Sequence, residues 1–296
     1  MITAVINSQE INGDVRMIPD YHLHTRFSGD CETDVEELIM AARRLGMESI
    51  CITDHNDMDF PETPDGVTFD LDTDNYIAYL KELKLKCQSP DFLQNDIVPF
   101  SLRIGVEQGV MPSTCEKLNS FSSEHPGLDF IICSTHVVDN MDPYYPEYFE
   151  GKNEKDAYKK YFEDILYNVT HFSDYNVYGH LDYILRYGPT KADNFRSKDY
   201  LEIFEAAFKK MIYDGKGIEI NTGSLYRGLS FMHPHDDILK LYREMGGEII
   251  TIGSDAHHLE HVGYAFNDAA KRLRNFGFRF YCTFRDMKPT FVPIEL

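Results

Sequence analysis

The chain has 296 residues, of which 43% are hydrophobic and 26% charged, with 19 Gly and 13 Pro. This ordinary globular composition excludes a disordered, collagenous or coiled-coil protein. Its 29 Lys and Arg against 49 Asp and Glu give a formal net charge of −20, so nucleic acid and anionic membranes are unfavourable partners. We expect neither as a partner, and an anionic substrate would need a local positive site of the kind that metal ions provide.

Targeting and domain signals are weak along the whole chain. No apolar run approaches the roughly 18 residues that a membrane span needs. Residues 1–17 lack a basic start and a continuous apolar stretch, so we predict no secretory signal and a cytoplasmic protein, with a role for this extension that nothing marks. Six cysteines without a CxxC pair favour reduced, buried side chains. We predict a single domain over residues 1–296, and nothing marks its oligomeric state.

Seven short apolar runs bounded by Gly, Asp or Asn are typical of buried strands. In chain order they are MIPDYHLH, ESICITDH, LRIGVEQG, LDFIICSTH, NVYGHLD, GIEINTG and EIITIGSDAHH. Helical patterns are predicted at 34–46, 156–170, 197–213 and 236–245, and the polar stretch 61–75 is predicted to be a loop. Strands that alternate with helices predict a parallel sheet, and seven such units favour an α/β barrel over an open sheet.

Nearly every predicted strand ends in side chains that can bind a metal ion. In chain order these candidates are His22, His24, Asp30, His55, Glu107, His136, His180, Asp255 and His257. The carboxyl ends of all strands share one face of a parallel barrel, so we expect these residues to converge. A single His or Asp at a strand end is usually a hydrogen-bonded polar residue or a helix cap. That interpretation does not explain six histidines and three carboxylates at the ends of separate strands.

Imidazole and carboxylate ligands together suit divalent transition metals such as Mn, Zn, Fe or Co. One ion needs only about four to six ligands, so nine candidates predict two or three ions, which is the arrangement of two-metal phosphoester hydrolysis. Three divalent ions bring six positive charges against three carboxylates. Such a pocket can attract a phosphate group to an acidic protein.

The motifs DYHLHTRFSGD, ITDHND, GVEQG, STHVVD, YGHLDYI and IGSDAHH resemble the successive motifs of the polymerase and histidinol phosphatase (PHP) family. They are most similar to those of its stand-alone histidinol-phosphate phosphatases. The resemblance runs from about Ile18 to Gly277, and the order, residue types and strand context of the motifs all agree. It implies a distorted (β/α)7 TIM-like barrel with a trinuclear metal site.

Carried over position by position, the resemblance also implies the metal ligands. The first ion would be held by His22, His24, Glu107 and Asp255, the second by Glu107, His136 and His180, and the third by Asp30, His55 and His257. Many family members carry His where this chain has Asp30, and this difference affects the occupancy or the identity of the third ion. We assign Glu107, Asp255 and His257 to catalysis, and we expect Asp54 to orient a ligand rather than to bind metal.

Substrate phosphate needs donors beyond the metals, and the planar fork of Arg matches phosphate oxygens. Arg186 and Arg227 lie in loops on the predicted metal face, in regions that the resemblance also suggests for phosphate binding, and Arg26 is a third candidate. The amine of the implied substrate is cationic and needs carboxylates or aromatic rings at the rim. Candidates in the fourth loop are Asp139, Asp142, Tyr144 and Tyr145.

The resemblance implies hydrolysis of L-histidinol phosphate to L-histidinol and phosphate by a metal-bridging hydroxide, within histidine biosynthesis. Three alternatives stay open. A phosphoesterase of the same family would act on another small phosphate ester, a nucleotide or nucleic acid. An amidohydrolase-like metal hydrolase also begins with HxH and ends with Asp, but it leaves the TDH and SDAH motifs unexplained. An inactive metal-binding regulatory module would be supported by a lost ligand, yet no principal position is lost.

Overall fold

Residues 17–89, 92 and 100–295 are described by the structure, which is a computed structural model. The predicted N-terminal extension lies outside the described residues except for Met17. Within the described part of the chain, no helix combines the length and the apolar character needed to span a bilayer.

Seven parallel strands form one curved sheet. They are β1 (Ser49–Ile52), β2 (His55–Asp57), β3 (Ser101–Gly109), β4 (Phe130–Ser134), β5 (Val177–Tyr178), β6 (Gly217–Asn221) and β7 (Ile250–Gly253). The neighbours run in the order β1, β3, β4, β5, β6, β7, and β2 pairs with the second half of β3 in line with β1. Because all pairings are parallel, the carboxyl ends of the strands lie at one end of the sheet.

Residues 20–24 close this sheet between β1 and β7. The N–H of Cys51 donates to the carbonyl oxygen of Asp20 (2.8 Å), and the N–H of Tyr21 donates to the carbonyl oxygen of Ile252 (3.1 Å). The predicted distorted (β/α)7 barrel is therefore confirmed.

The first predicted strand differs from the sequence prediction in one respect, because it forms isolated bridges instead of a regular strand. Side chains take two of its amide donors: the N–H of His22 donates to Asp20 Oδ1 (3.2 Å), and the N–H of Leu23 donates to Thr53 Oγ1 (3.1 Å). These bonds interrupt the ladder that a strand requires.

Helices cover the outside of the barrel. They are α1 (Val35–Arg44), α2 (Thr73–Lys86), α3 (Cys115–Leu118), α4 (Phe121–Glu124), α5 (Glu154–His171), α6 (Leu201–Tyr213), α7 (Gly223–Tyr226), α8 (Asp236–Glu244) and α9 (Phe266–Asn275). Short 3-10 turns lie at Pro146–Phe149, Tyr183–Arg186, Ser197–Tyr200 and Leu259–His261. The predicted helix at 34–46 is α1, and Asp34 caps it, because its carboxylate accepts the N–H of Glu36 (2.9 Å). The sequence prediction missed α2 and α9, and the predicted helix at 197–213 begins with a 3-10 turn.

A C-terminal hairpin, β8 (Phe280–Arg285) and β9 (Lys288–Pro293), was also missed. It covers the amino-terminal end of the barrel, where Phe284 packs against Phe130 with ring centroids 4.9 Å apart. The hydroxyl of Tyr21 donates to the carbonyl oxygen of Phe284 (3.1 Å) and accepts its N–H (2.9 Å). One end of the barrel is thus filled, and the polar side chains collect at the other.

Candidate metal centre

The nine candidate ligands lie together at the carboxyl ends of the strands. Glu107 lies near the end of β3 and is fully buried, and the other candidates surround it or its immediate neighbours. Asp30 and His257 lie at the more open rim, where their side chains are 34% and 12% exposed. The barrel topology therefore brings together residues that are up to 235 positions apart in the chain, His22 and His257 being the extremes (257 − 22 = 235).

Both carboxylate oxygens of Glu107 face histidine rings. Its Oε2 lies 3.0 Å from His22 Nε2 and 3.1 Å from His55 Nδ1. Its Oε1 lies 2.8 Å from His180 Nε2 and 3.2 Å from His136 Nε2. A carboxylate shared in this way can bridge two cations.

Asp255 and Asp30 extend the cluster toward the rim. Asp255 Oδ1 lies 3.5 Å from His24 Nε2, and Asp30 Oδ2 lies 3.0 Å from His257 Nε2. The ring of His24 stacks against those of both His55 and His257, with centroids 4.3 and 4.2 Å away. Asp255 has a φ of 56°, a backbone conformation that residues other than Gly rarely adopt and that is frequent at functional sites.

These donors fit metal ions by their chemistry and by their lack of other partners. Four groups of three donors have ligand atoms within 4.8 Å of one another: His24, His55 and His257; His22, His24 and Asp255; His22, Glu107 and His180; and His55, Asp57 and His136. Among the described residues, four of the inward atoms have no hydrogen-bond partner although they are buried: His22 Nε2, His24 Nε2, His55 Nδ1 and Glu107 Oε2. Buried polar atoms without partners are costly, and cations held by these groups would satisfy them.

The electrostatics of the cluster keep its carboxylates ionised. Burial raises the pKa of Glu107, but the charges on His22, His55 and His136 outweigh burial and hold the pKa well below its usual range. Burial likewise raises the pKa of Asp255, but nearby cations, of which Arg227 has the largest effect, hold this pKa well below its usual range. Both carboxylates are anionic at neutral pH and can act as ligands.

Arg186 and Arg227 border the same cleft, which has a volume of about 210 Å³. Arg227 Nη1 donates to Asp255 Oδ2 (2.6 Å), and Arg186 Nη2 lies 3.5 Å from the same oxygen. Arg26 does not reach the cleft. It pairs with Asp34 at 2.5 Å, is 47% exposed and is not among the lining residues, so the structure gives no support to its prediction as a phosphate ligand.

The remaining predicted residues divide between the cleft and other contacts. Asp142, Tyr144 and Tyr145 line the cleft, but Asp139 lies 3.4 Å from the ammonium of Lys160 and is not among the lining residues. Asp54 does not contact a ligand ring directly. It accepts the hydroxyl of Ser28 (2.8 Å), and Ser28 Oγ lies 3.0 Å from His24 Nδ1.

Two carboxylates near the cluster were missed from the sequence. Asp57 Oδ2 lies 2.6 Å from His136 Nδ1, and Glu219 Oε1 lies 2.6 Å from His22 Nδ1. The expectation that functional residues follow the ends of strands does not find Glu219, because this residue lies in the middle of β6. A useful signal was nevertheless present, since a charged residue inside the apolar run GIEI requires a buried partner.

Comparison with known proteins gives one family and a consistent set of relatives. The profile of the PHP domain family matches residues 20–223. The histidinol-phosphatase of Lactococcus lactis is 29% identical over 270 residues, covering 91% of this chain and 95% of the relative. A probable histidinol-phosphatase of Clostridium acetobutylicum is 28% identical over 259 residues, covering 88% of this chain and 94% of the relative.

Solved structures share this fold. The crystal structure of the Lactococcus lactis histidinol phosphate phosphatase, complexed with zinc, L-histidinol and phosphate, has a TM-score of 0.78 and 27% identity and covers 93% of this chain and 100% of that chain. A putative histidinol phosphatase from Listeria monocytogenes has a TM-score of 0.70 at 19% identity, with coverage of 84% of this chain and 99% of that chain, and it shows the likeness of fold alone.

Proposed function

Because this chain belongs to the PHP domain family, we propose that it is a metal-dependent phosphomonoesterase that hydrolyses L-histidinol phosphate to L-histidinol and phosphate. The observation that carries the proposal is the convergence of the nine predicted donors, six of which line one cleft together with Arg186 and Arg227. The relatives named histidinol-phosphatase, and the L-histidinol and phosphate in the Lactococcus lactis structure, support this choice of substrate.

The proposed centre holds two or three divalent transition metal ions such as Mn, Zn or Fe. Its ligands are His22, His24, Asp30, His55, Glu107, His136, His180, Asp255 and His257. When bound, such ions supply positive charge and Lewis acidity for the attack of water on phosphorus. Zinc in the Lactococcus lactis structure supports this cofactor class.

Arg186 and Arg227 bind the phosphate group in this proposal. The side chain of Arg186 is 4% exposed, and its Nε and Nη2 have no hydrogen-bond partner among the described residues. A buried guanidinium with free N–H groups matches phosphate oxygens in both geometry and charge. Arg227 reaches Asp255 and also lies 3.2 Å from His257 Nδ1, so it connects the phosphate position to two proposed catalytic residues.

One part of the cleft wall suits a cationic, ring-bearing group. Asp142 lines the cleft together with the aromatic rings of Tyr183 and Tyr187, and burial raises the pKa of Asp142 to about 6. A cationic amine next to this carboxyl offsets the cost of its burial and favours the ionised form. The amino-imidazole end of histidinol phosphate has both the charge and the ring that this wall requires.

The test is a phosphate-release assay with protein loaded separately with Mn²⁺, Zn²⁺ or Fe²⁺. The panel includes L-histidinol phosphate, other small phosphomonoesters and nucleotides, and hydrolysis of an amide and a lactone is followed in parallel by chromatography of their products. We expect the highest kcat/KM for L-histidinol phosphate and loss of activity with a chelator. Faster turnover of a nucleotide would favour the alternative within the same family. Turnover of the amide or lactone without phosphate release would contradict the proposal.

We also propose that the chain forms a single domain and works in the cytoplasm. Support for the single domain comes from the continuous sheet that runs from residue 20 to β7 and from the hairpin that packs on its end. Support for the location comes from the six cysteines, all of which are free and buried.

A further inference from the structure

Glu219 occupies an unusual place for a charged side chain. It lies at the centre of β6 and is 1% exposed. Its neighbours Ile218 and Ile220 pack in the outer core, so the alternation of the strand turns Glu219 into the barrel. Burial of a carboxylate inside a barrel is costly unless hydrogen bonds satisfy it, so the partners of Glu219 decide its role.

Both oxygens of Glu219 are used, and each contacts a different part of the proposed metal centre. Oε1 lies 2.6 Å from His22 Nδ1. Oε2 accepts the backbone N–H of His180 (3.0 Å) and the side-chain amide of Asn221 (3.1 Å). One carboxylate thus contacts two proposed ligands, His22 and His180, which come before and after Glu107 in the chain.

These contacts determine where the proton of His22 resides. A carboxylate can only accept hydrogen bonds, so Glu219 requires the proton of the ring on Nδ1. The Nε2 lone pair of a neutral His22 then faces Glu107 Oε2 at 3.0 Å, and neither atom has a hydrogen-bond partner among the described residues. Two acceptors at this distance need a proton or a metal ion between them; the proton makes His22 the cation beside Glu107 described above, and a bound metal ion takes the place of that proton.

The glycines of neighbouring strands provide room for this pair. A Cβ on Gly253 would lie 2.3 Å from Glu219 Oε1 and 2.3 Å from the Cβ of His22. A Cβ on Gly179 would lie 2.7 Å from the hydroxyl of Ser134 and 3.6 Å from Glu219 Oε2. Any larger residue at position 253 would collide with both members of the pair, so the close approach requires Gly there.

We propose that Glu219 is a positioning residue that fixes the tautomer and orientation of His22 and anchors the backbone at His180 for metal binding. The inference rests on the metal centre of the proposed function and deepens it. Glu219 is not itself a ligand in this arrangement, because its two oxygens are already bonded to the outer side of His22, to the backbone of His180 and to Asn221.

Glu219→Gln separates positioning from simple packing, because it keeps the size of the side chain. If the amide nitrogen of Gln faces His180 and Asn221, its N–H groups meet two other donors, the backbone N–H of His180 and the side-chain amide of Asn221. If it faces His22 instead, the ring must accept at Nδ1 and carry its proton on Nε2, which is the wrong tautomer for metal binding. We expect Zn²⁺ to bind about 10- to 100-fold more weakly at one or more sites, the usual scale for a group behind a ligand.

The experiment measures Zn²⁺ dissociation constants of the metal-free protein by competition with a chromogenic chelator. Thr251→Val is the matched control, because Thr251 pairs with Glu219 in the sheet register and its buried hydroxyl has no partner among the described residues. We expect wild-type affinity in Thr251→Val. Wild-type affinity in Glu219→Gln would overturn the inference, whereas a wild-type protein that binds no Zn²⁺ would remove the proposed metal centre itself.

A second measurement uses the wild-type protein and does not depend on how a variant folds. In ¹⁵N-histidine-labelled protein loaded with Zn²⁺, with the signals of His22 assigned by His22→Gln, we expect a protonated Nδ1 and a metal-bound Nε2. A protonated Nε2 on His22 would overturn the role of Glu219 even if the protein binds metal elsewhere.

Discussion

At the scale of single residues, Glu107 is the centre of the cluster. Four histidine rings have a nitrogen within 3.2 Å of its oxygens: His22, His55, His136 and His180. The other carboxylates nearby already have partners: Asp255 pairs with Arg227, Asp57 with His136 and Glu219 with His22. The structure therefore makes one strong prediction about its loss.

Glu107→Gln keeps the shape of the side chain and removes one negative charge. We expect the protein to retain fewer metal equivalents and to lose phosphatase activity by more than about 100-fold, beyond the effect of a group that only supports a ligand. Metal content by mass spectrometry and phosphate release measure the two effects. The exposed Glu116→Gln should match wild type, and full metal content in Glu107→Gln would contradict the assignment.

Arg186→Ala tests the phosphate site. The loss of a charged hydrogen bond to substrate is expected to lower kcat/KM by about 10-fold or more, which corresponds to about 1.5 to 3 kcal/mol. The matched control is Arg26→Ala, since Arg26 is exposed and pairs with Asp34 outside the cleft. Steady-state kinetics that are equal in Arg186→Ala and wild type would remove Arg186 from the site.

At the scale of elements, most of the strands were predictable and several helices were not. The strands were clear because short apolar runs rich in β-branched residues, such as ICI and ITI, are buried on both faces. Helix α9 was missed because Ala269 and Ala270 form much of its buried side, and such small residues give a weak apolar stripe. In β6 the strand itself was predicted, but its central Glu219 was not recognised, since no rule for strand ends applies to it.

The N-terminus of α1 gives a prediction at this scale. Asp34→Ala removes the acceptor for the N–H groups of Glu36 and Glu37. We expect the free energy of unfolding to fall by about 1 kcal/mol, the usual value of such a cap. Denaturant unfolding measures the loss, and kcat for the phosphate ester should stay within error because the cap lies outside the cleft. Unchanged stability would show that this cap contributes nothing measurable.

At the scale of the whole molecule, the hairpin and the cluster occupy opposite ends of the barrel. Tyr21 and His22 are adjacent in the chain, yet Tyr21 binds the backbone of Phe284 and His22 faces Glu107. Tyr21→Phe leaves the N–H and carbonyl of Phe284 without this partner inside the protein. We expect a loss of about 1 to 3 kcal/mol in stability, measured by denaturant unfolding. A wild-type stability would contradict the structural role of the hairpin contact.

The proposed site binds an anion although the molecule is acidic, and the proposed metal centre reconciles the two. The net charge of −20 repels anions at long range, so the local sign at the cleft must come from the two arginines and the proposed cations. The composition predicted that nucleic acid is an unfavourable partner. It could not give the substrate, because the proposed substrate contacts of Asp142 and Arg186 depend on the fold that brings both to one cleft.

The central claim is that nine donors converge on divalent ions, and anomalous X-ray diffraction of crystals grown with Zn²⁺ tests it most directly. The account predicts two or three strong anomalous peaks among the four donor groups around Glu107, His24 and His55. Crystals of a Zn²⁺-loaded protein without a peak there, or with peaks only at other sites, would contradict it.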